Sequence, residues 1–536
     1  SPLLLALAMT FLQGKGQNMS DVKPQNDRQT GILNAIERIG NAMPDITMLF
    51  IYALGVCWAL SFGLSFINFD YFHPLTGDQI KVTNMLAPVE LVTFITTMVK
   101  NFINFPPLAI TIVATLGIGI AEGSGFIQVM LKKMLNVTPQ RILTPAVVFI
   151  GVVSHVASDS AYVILMPVAA MMFYASGRHP LAGIAAAFAG LAGGFSASYT
   201  PSIIDPIMQG FTQGAAHIID PSYNVNVLCN YFLSFGSTFG VILVCWFITD
   251  KIVEPRLLKS MPLNSDLSGL QSNNELQKVT PQESKAFKRA GLVMLLMLIG
   301  LAAALYPENS LLRSPDGSLT RPDAPIMQAI VPLLFFMFAI PGLIYGFSSG
   351  TFKSTKDVTA SMENITRSLV SFLVFSFFCA QFLYSFSHSN IGTLMAISGA
   401  DFLRTLAMPA GFTILGVILL SCALDIIITS ASSKWSILAP ILVPMLMAVG
   451  ISPELTQASF RVSSTVNIST PMFAFYPLII MYCRQYCSKT GVGTLCAMML
   501  PYTLGLTVVL TLMLYLFWGL DIPLGFQSGY TYPATQ

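Results

Sequence analysis

Two polar segments interrupt the most apolar parts of this 536-residue sequence, and their side chains could bind ions or polar ligands. The first reads SHVASDSAYVILMP (Ser154–Pro167) and the second reads IITSASSKWSILAP (Ile427–Pro440). Helices that meet at such a segment leave backbone N–H and C=O groups free. Helix N-termini favour anionic groups, whereas carbonyls and helix C-termini favour cations. Both segments are therefore candidate binding sites.

Neutral hydroxyl oxygens in these segments suit a hard cation such as Na⁺, because they bind it without burying several charges. The sequence predicts a Na⁺ site at the two segments, and its candidate ligands are Ser158, Asp159, Ser160, Ser430, Ser432 and Ser433. A further polar break follows each segment, GGFSASYTPSIIDP (Gly193–Pro206) and SSTVNISTP (Ser463–Pro471). We expect all four breaks to converge on one cavity.

Ionisable side chains within apolar regions are functional candidates by default, and here they are His155, Asp159, Asp205, Asp425, Lys434 and Arg461. Structural explanations also exist. Asp205 could cap a helix, and His155 could be a structural hydrogen-bond donor. Asp425 could pair with Lys434 or Arg461, and Lys434 could instead snorkel to the outer face. Trp435 could anchor its segment or stack on an aromatic ligand.

Composition identifies the class of protein. Hydrophobic residues make up 54% of the chain and charged residues 10%, whereas soluble domains carry about 25% charged residues. The sequence therefore predicts a polytopic integral membrane protein in contact with lipid. The formal net charge of +2 argues against a nucleic-acid partner. Ser1–Phe11 is too short to span and lacks a basic start, so we exclude it and take Met19 as the natural start.

Spanning helices need about 20 apolar residues, and seven segments meet this condition: 46–67, 106–130, 228–249, 288–306, 326–348, 367–388 and 492–518. The regions 143–176 and 405–450 are apolar but interrupted, and their halves are too short to cross alone. Such halves are typical of re-entrant hairpins, which protein or water must cover. The sequence therefore predicts an all-α membrane protein with two hairpins.

Lys and Arg residues predict the orientation, because they are enriched in cytoplasmic loops. The cation-rich stretches, among them the loops 131–142 and 349–367, can all face the cytoplasm if each hairpin returns to the side that it enters from. The outside segments are then 68–85, 219–227, 307–325, 450–454 and the tail after 519. The predicted organisation is an N-terminal cytoplasmic segment (1–45), a first transmembrane half (46–252), a cytoplasmic linker (253–285), scaffold helices (286–348), a second half (349–518) and a C-terminal tail (519–536).

The second interrupted region repeats the first at a constant offset of 440 − 167 = 273 positions. Between residues 158 and 180 this offset gives eight identities in 23 positions, and one of them pairs Pro180 with Pro453. The charge pattern gives the two halves opposite directions across the membrane. An inverted repeat with discontinuous helices is typical of a secondary transporter.

Seven motifs follow one another along nearly the whole chain: ERIGNAMP (37–44), VKNF (99–102), LGIGIAEGSG (116–125), GRHPLAG (177–183), ITDKIVEPRL (248–257), KWSILAPILVPM (434–445) and MLPY (499–502). In these motifs the chain resembles the AbgT family, the p-aminobenzoyl-glutamate transporter family of the ion-transporter superfamily. The resemblance implies a bowl-shaped homodimer with about nine transmembrane helices and two re-entrant hairpins per protomer. It also implies a bacterial cytoplasmic (inner) membrane location with a cytoplasmic N-terminus.

The function implied by the resemblance is secondary transport, coupled to Na⁺ or H⁺, of p-aminobenzoyl-glutamate or related folate-pathway aromatic carboxylates. Some members resemble exporters of p-aminobenzoate and sulfonamide drugs, which is the alternative function and would give sulfonamide resistance. The predicted substrate-binding residues are Asp205, Ser432, Trp435, Pro453, Arg461 and Asn467. The predicted coupling-ion residues are Ser158, Asp159, Ser160, Asp425, Ser433, Ser469 and Thr470.

This chain departs from the family at one acidic position. The family often reads R-I-x-D-S where this sequence has Arg461, Val462, Ser463 and Ser464, so the acid after the arginine is lost. We expect Arg461 to be available to substrate or to Asp425. We also expect Asp425 to supply the carboxylate that position 464 lacks.

A membrane hydrolase is the competing class, because Ser, His and Asp residues crowd positions 154–160. A nucleophile also requires a correctly placed base and a group that orients the base. The other half repeats this segment without histidine, so duplication explains the pattern better than catalysis does. The sequence predicts no enzyme activity and no cofactor besides the coupling ion.

Overall fold

The computed structural model describes residues 44–73, 75–136, 138–154, 160–263, 279–367, 369–406 and 408–533. Regular structure within these ranges is helical, and the β pairing there is limited to two isolated bridges, Phe72 to Gln79 and Ile451 to Thr531. The predicted all-α membrane fold is confirmed.

Eight helices in the described ranges are long and apolar enough to cross a membrane. Seven of them overlap the seven predicted spans: Ile46–Leu64, Pro88–Ser124, Tyr231–Ser260, Pro281–Leu305, Ile330–Ser349, Val370–His388 and Val492–Gly519. The eighth, Ala431–Ala448, lies in the region predicted as the second hairpin. The total of about nine transmembrane helices stays a prediction.

Short helices occupy both interrupted regions. The first helix pair consists of Leu143–Val153 and Ser160–Ala175, and the second helix pair consists of Ala410–Asp425 and Ala431–Ala448. Each pair is followed by a broken helix. The first broken helix comprises Pro180–Phe188, a π-helical turn Ala189–Gly193 and Ile204–Ala216; the second comprises Pro453–Ser463, a 3₁₀ turn Val466–Ser469 and Tyr476–Tyr486.

The two broken helices begin in the same way, at positions 273 residues apart. Pro180 and Pro453 are each the first residue of a helix, where a missing N–H costs no hydrogen bond. The preceding side chains, His179 and Ser452, accept hydrogen bonds from the first turn. This agreement is what the predicted repeat requires, while its inverted orientation in the membrane stays a prediction.

Glycines allow the helices of the first half to pack at short distances. A Cβ at Gly117 would lie 2.5 Å from the carbonyl oxygen of Phe335, and one at Gly342 would lie 2.7 Å from the Cα of Ala121. Small residues at such crossings are typical of membrane helices, because dispersion contacts rather than water exclusion hold them together. The LGIGIAEGSG motif is therefore a packing surface.

An ion-pair cluster fixes the end of the first helix pair. The Arg178 Nη2 atom lies 2.5 Å from Asp250 Oδ1 and 2.5 Å from Glu254 Oε2. The Arg178 guanidinium also donates to Thr144 Oγ1 at 2.7 Å. Because Asp250 and Glu254 belong to the helix Tyr231–Ser260, this cluster joins the first helix pair to a spanning helix.

Two helices were missed by the sequence analysis. Residues 349–367 were expected to form a loop, but Thr355–Arg367 is helical and packs against the glycine motif, where Ile365 meets Gly119. Asp357 accepts hydrogen bonds from the backbone of Lys353 and Ser354 and so stabilises its first turn. Pro88–Ile103 carries polar residues along one side. Thr355–Arg367 is too polar for a search by hydropathy, whereas Pro88–Ile103 continues into the predicted span that begins at 106.

The Gly117 contact gives a test of this packing. Gly117→Ala would place a methyl group against the Phe335 backbone, and overpacking of this kind costs about 1–3 kcal/mol. The apparent Tm of the purified protein in detergent should fall. Gly63→Ala is the matched control, because a Cβ there meets nothing within 4 Å. An equal Tm for the two variants would contradict the close packing.

Candidate functional site

An ion pair joins the two broken helices. The Arg461 Nη1 atom donates to Asp205 Oδ1 at 2.6 Å, and both side chains are buried. Asp205 also accepts from the backbone N–H and the hydroxyl group of Ser202, at 2.8 and 3.1 Å. One carboxylate therefore both caps the helix and pairs with the arginine, while the substrate-binding role of Asp205 stays a prediction.

The expectation that Arg461 could pair with Asp425 is wrong. Its acidic partner is Asp205, which is 256 positions away in the sequence. Sequence spacing could not show this, because the partner comes from the other half of the chain. Two further Arg461 atoms, Nε and Nη2, are buried without a hydrogen-bond partner among the described residues. The guanidinium is therefore paired on one side and open to an acceptor on another.

A second ion pair lies inside the second helix pair. The Lys434 Nζ atom lies 2.5 Å from Asp425 Oδ1, and neither side chain has exposed surface. The other Asp425 oxygen accepts from the backbone N–H of Asn467 at 2.9 Å. The Lys434 ammonium also lies 5.0 Å from the centre of the Phe460 ring. Asp425 is thus paired with Lys434 and not with Arg461, and the alternative that Lys434 snorkels outward is wrong.

Trp435 is placed as an anchor of the second helix pair. Its indole N–H donates to Thr212 Oγ1 at 3.0 Å, and its ring stacks on Phe460 at a centroid distance of 4.4 Å. The side chain is fully buried. This favours the anchoring explanation, because an aromatic ligand would have to displace Phe460 from the face that it covers.

The remaining predicted residues fall into separate groups. The Thr470 hydroxyl donates to the Ile426 carbonyl at 2.8 Å, so it ties the second break to the turn of the second helix pair. Ser433 donates its N–H to Ser430 at that turn, next to the partly exposed Ser432. The Ser469 hydroxyl donates to the carbonyl of Val466, three residues earlier.

Pro453 does not lie beside Arg461. The two residues occupy opposite ends of the helix Pro453–Ser463, eight residues apart, which corresponds to about 12 Å at 1.5 Å per residue. The predicted substrate-binding set therefore does not form one cluster. Within the set, a direct contact joins Asp205 to Arg461, whereas Asn467 donates its backbone N–H to Asp425.

The predicted residues of the first polar segment cannot be placed. His155, Ser158 and Asp159 lie outside the described residues, and Ser160 is described by its backbone alone. Among the described residues no group of three or more His, Cys, Asp or Glu side chains could hold a metal ion. Four neutral oxygens, on Ser376, Ser421, Ser464 and Asn467, are buried without a described partner. The Na⁺ site stays a prediction.

The sequence analysis missed three polar residues that connect to Trp435. Thr212 donates to Gln457 Oε1 at 2.6 Å, and the Gln457 amide donates to Asn230 Oδ1 at 2.9 Å. Gln457 lies four residues before Arg461, a spacing that places both on one helix face. That spacing could have identified Gln457, but no local pattern indicated Thr212 or Asn230.

The comparison with known protein families shows which family this chain belongs to. A family model described as the AbgT putative transporter family matches residues 31–532. The chain belongs to the AbgT family. This AbgT member is 33% identical over 509 residues to the p-aminobenzoyl-glutamate transport protein of Escherichia coli (strain K12), and the match covers 95% of this chain and 98% of the relative.

Two solved structures of transporters are similar to this AbgT-family chain. The Alcanivorax borkumensis YdaH transporter matches with a TM-score of 0.84 and 38% identity, covering 90% of this chain and 100% of that one. Neisseria gonorrhoeae MtrF, described as illuminating a class of antimetabolite efflux pumps, matches with a TM-score of 0.86 and 36% identity, covering 94% and 99%. The chain is therefore an integral membrane protein of a transporter family.

Removing one partner of the Asp205–Arg461 pair should destabilise this AbgT-family protein. Arg461→Ala leaves Asp205 buried and unpaired, a change that costs about 3–5 kcal/mol, so the apparent Tm in detergent should fall. The double variant Asp205→Ala with Arg461→Ala removes both charges and should recover most of that loss. A double variant that is as unstable as Arg461→Ala would contradict the view that Asp205 and Arg461 form an isolated pair.

The Asp425–Lys434 pair allows a parallel test. Asp425→Asn leaves the Lys434 ammonium without its counter-charge, so stability should fall by about 3–5 kcal/mol. The double variant Asp425→Asn with Lys434→Met should regain most of it. Asp401→Asn is the control, because Asp401 forms an exposed pair with Arg404. If Asp425→Asn melted like the control, the buried pair would not hold the second helix pair together.

Proposed function

We propose that this protein is an ion-coupled secondary transporter of p-aminobenzoyl-glutamate or related folate-pathway aromatic carboxylates. The observation that carries the proposal is the partly satisfied Arg461 guanidinium. Its Nη1 atom is held by Asp205, while Nε and Nη2 are buried without an acceptor. A buried donor without an acceptor costs about 1–3 kcal/mol, and a substrate carboxylate would supply the missing acceptor.

The chemistry of the substrate fits this arrangement. A guanidinium presents its N–H groups in a fixed planar fork that matches the two oxygens of a carboxylate. Asp205 keeps the cation in place between transport cycles, so the arginine is compensated when substrate is absent. The Escherichia coli relative, described as a p-aminobenzoyl-glutamate transport protein, supports this substrate class.

Export of p-aminobenzoate and sulfonamide antimetabolites is the second candidate function. The similarity to MtrF supports it, because that protein is described with a class of antimetabolite efflux pumps. The same arginine could bind p-aminobenzoate, which carries one carboxylate. For both candidate functions we propose a homodimer in the bacterial inner membrane with a cytoplasmic N-terminus. The coupling ion is Na⁺ or H⁺ in both.

Uptake by reconstituted protein tests the proposal. Proteoliposomes should accumulate labelled p-aminobenzoyl-glutamate when a Na⁺ or H⁺ gradient is imposed, and protein-free liposomes should not. Arg461→Lys should keep the fold but transport poorly, because an ammonium cannot reproduce the planar fork. Chromatography of the accumulated label separates transport from the hydrolase alternative, which would release p-aminobenzoate and glutamate.

The outcomes distinguish the candidates. Transport of p-aminobenzoate and a sulfonamide, but not of p-aminobenzoyl-glutamate, would favour the exporter. Failure of all three to exchange across the membrane would count against both. Normal transport by Arg461→Lys would contradict the proposal that substrate binding requires the planar, bidentate guanidinium.

A further inference from the structure

Glu454 is a buried acid that the proposed substrate site does not use. It lies one residue inside the helix Pro453–Ser463, and only 1% of its surface is exposed. The Tyr223 hydroxyl lies 3.0 Å from each carboxylate oxygen. No ion pair formed by the described residues includes Glu454. A carboxylate at this burial without a cation is costly, so its charge has to be neutralised in some other way.

The titratable groups in contact with Glu454 are neutral or negative, and the cation of the same helix, Arg461, lies seven residues further on and is paired with Asp205. Burial and then the Glu454 carboxylate raise the pKa of Tyr223, so this phenol remains protonated and can donate. Burial also raises the pKa of the Cys229 thiol, which therefore stays neutral. Tyr532 packs edge-on against Tyr223 and donates to Asp220 at 2.9 Å. None of these groups can compensate a negative charge on Glu454.

The partner groups favour a proton over a metal cation. A Na⁺ ion needs several oxygen ligands, whereas the Tyr223 hydroxyl donates to the Glu454 carboxylate. The neighbouring Asn230 amide donates to the backbone carbonyl of Glu454, so this oxygen is already hydrogen-bonded. Protonation removes the buried charge directly.

Water has a short route to Glu454 through residues 219–227 and the C-terminal tail, which the charge pattern places outside the membrane. Asp220 and Tyr223 are partly exposed, and Tyr223 contacts the Glu454 carboxylate directly. Burial tends to raise the pKa of Asp220, but hydrogen bonds from Ser222 and Tyr532 outweigh it and keep the pKa below its ordinary value. The route therefore begins at an ionised carboxylate that attracts protons.

A continuous chain of buried hydrogen bonds leads from Glu454 to the second helix pair. The Asn230 amide donates to the Glu454 carbonyl at 3.0 Å. Gln457 then donates to Asn230, Thr212 donates to Gln457, and Trp435 donates to Thr212, at 2.9, 2.6 and 3.0 Å. Because this chain starts at the backbone of Glu454, a shift of the residue when its carboxylate is protonated can alter the position of Trp435.

We propose that Glu454 is the residue that binds the coupling proton. This inference rests on the proposed function and names its coupling ion. The Glu454 carboxylate takes a proton from hydronium on the outer side, which leaves water and a neutral carboxylic acid. That acid is a donor, so the Tyr223 hydroxyl must accept from it or turn away. The hydrogen-bonded chain transmits this rearrangement to Trp435.

Two measurements on proteoliposomes in Na⁺-free buffer test the inference. Counterflow exchanges labelled external for unlabelled internal p-aminobenzoyl-glutamate without an ion gradient, and trapped pyranine reports proton movement when the same substrate is added outside. Glu454→Gln imitates the protonated acid, so it should keep counterflow and lose substrate-driven proton movement. Glu308→Gln is the control, because Glu308 is an exposed acid, predicted to lie on the same side, and should retain both.

Tyr223→Phe provides a second, milder variant. The hydroxyl group stabilises the ionised carboxylate, so removing it raises the pKa of Glu454 and extends proton binding to higher pH. The pH at which proton movement is half maximal should therefore rise by about one unit. Tyr223→Phe keeps the acid, so it still tests whether Glu454 binds the coupling proton if Glu454→Gln does not fold.

Several results would overturn the inference. Proton movement by Glu454→Gln at the wild-type rate would do so, as would an unchanged pH midpoint in Tyr223→Phe. Substrate accumulation that requires Na⁺ and moves no protons would also overturn it while leaving the proposed function intact. Absence of counterflow in the wild-type protein would instead reject the proposed function, and the inference with it.

Discussion

The pairing of Arg461 with Asp205 is the constraint on which the arrangement of the two halves depends. A guanidinium within an apolar interior is tolerated only when a counter-charge compensates it. Arg461 comes from the second broken helix and Asp205 from the first, so the pair holds the two breaks against each other. Ser202 donates twice to the same carboxylate and fixes its orientation. The breaks therefore meet at a defined point.

The second helix pair is attached to the meeting point of the two breaks through Asp425, which belongs to the second ion pair. Asp425 binds Lys434 within the pair and also accepts from Asn467 in the second break, so one carboxylate satisfies both a buried cation and a free backbone donor. Irregular backbone at membrane depth requires such internal partners. Trp435 extends the connection to the first broken helix through Thr212. Movement of the second break would alter the contacts of both carboxylates, Asp205 and Asp425.

Family membership and the site agree on a transporter. Position 464 holds a serine, so the acid that compensates Arg461 comes from the other half of the chain. Asp205 compensates the arginine, and two of the arginine's nitrogen atoms, Nε and Nη2, have no acceptor among the described residues. An arginine that is held yet incompletely satisfied suits a substrate carboxylate that must bind and leave in each cycle. A fully satisfied arginine would gain little from substrate.

The sequence by itself determined the class, the spanning helices and the interrupted regions. These depend on local hydropathy and on Gly and Pro positions, which act within about 20 residues. It also indicated Asp205, Asp425, Lys434 and Arg461, because ionisable residues in apolar surroundings are unusual wherever they occur. The helix Thr355–Arg367 was missed because a polar helix that packs on glycines carries no hydropathy signal.

Only the tertiary structure decided how the charges pair and which polar residues connect them. Arg461 lies 256 positions from Asp205, and Trp435 lies 223 positions from Thr212. No local period relates such residues, because their distance depends on how the two halves pack. Burial is also a property of the folded chain: Glu454 follows a proline at a helix start, where an acid is ordinarily a solvated capping residue. Here Tyr223, from residues 219–227, covers the carboxylate and leaves only 1% of Glu454 exposed.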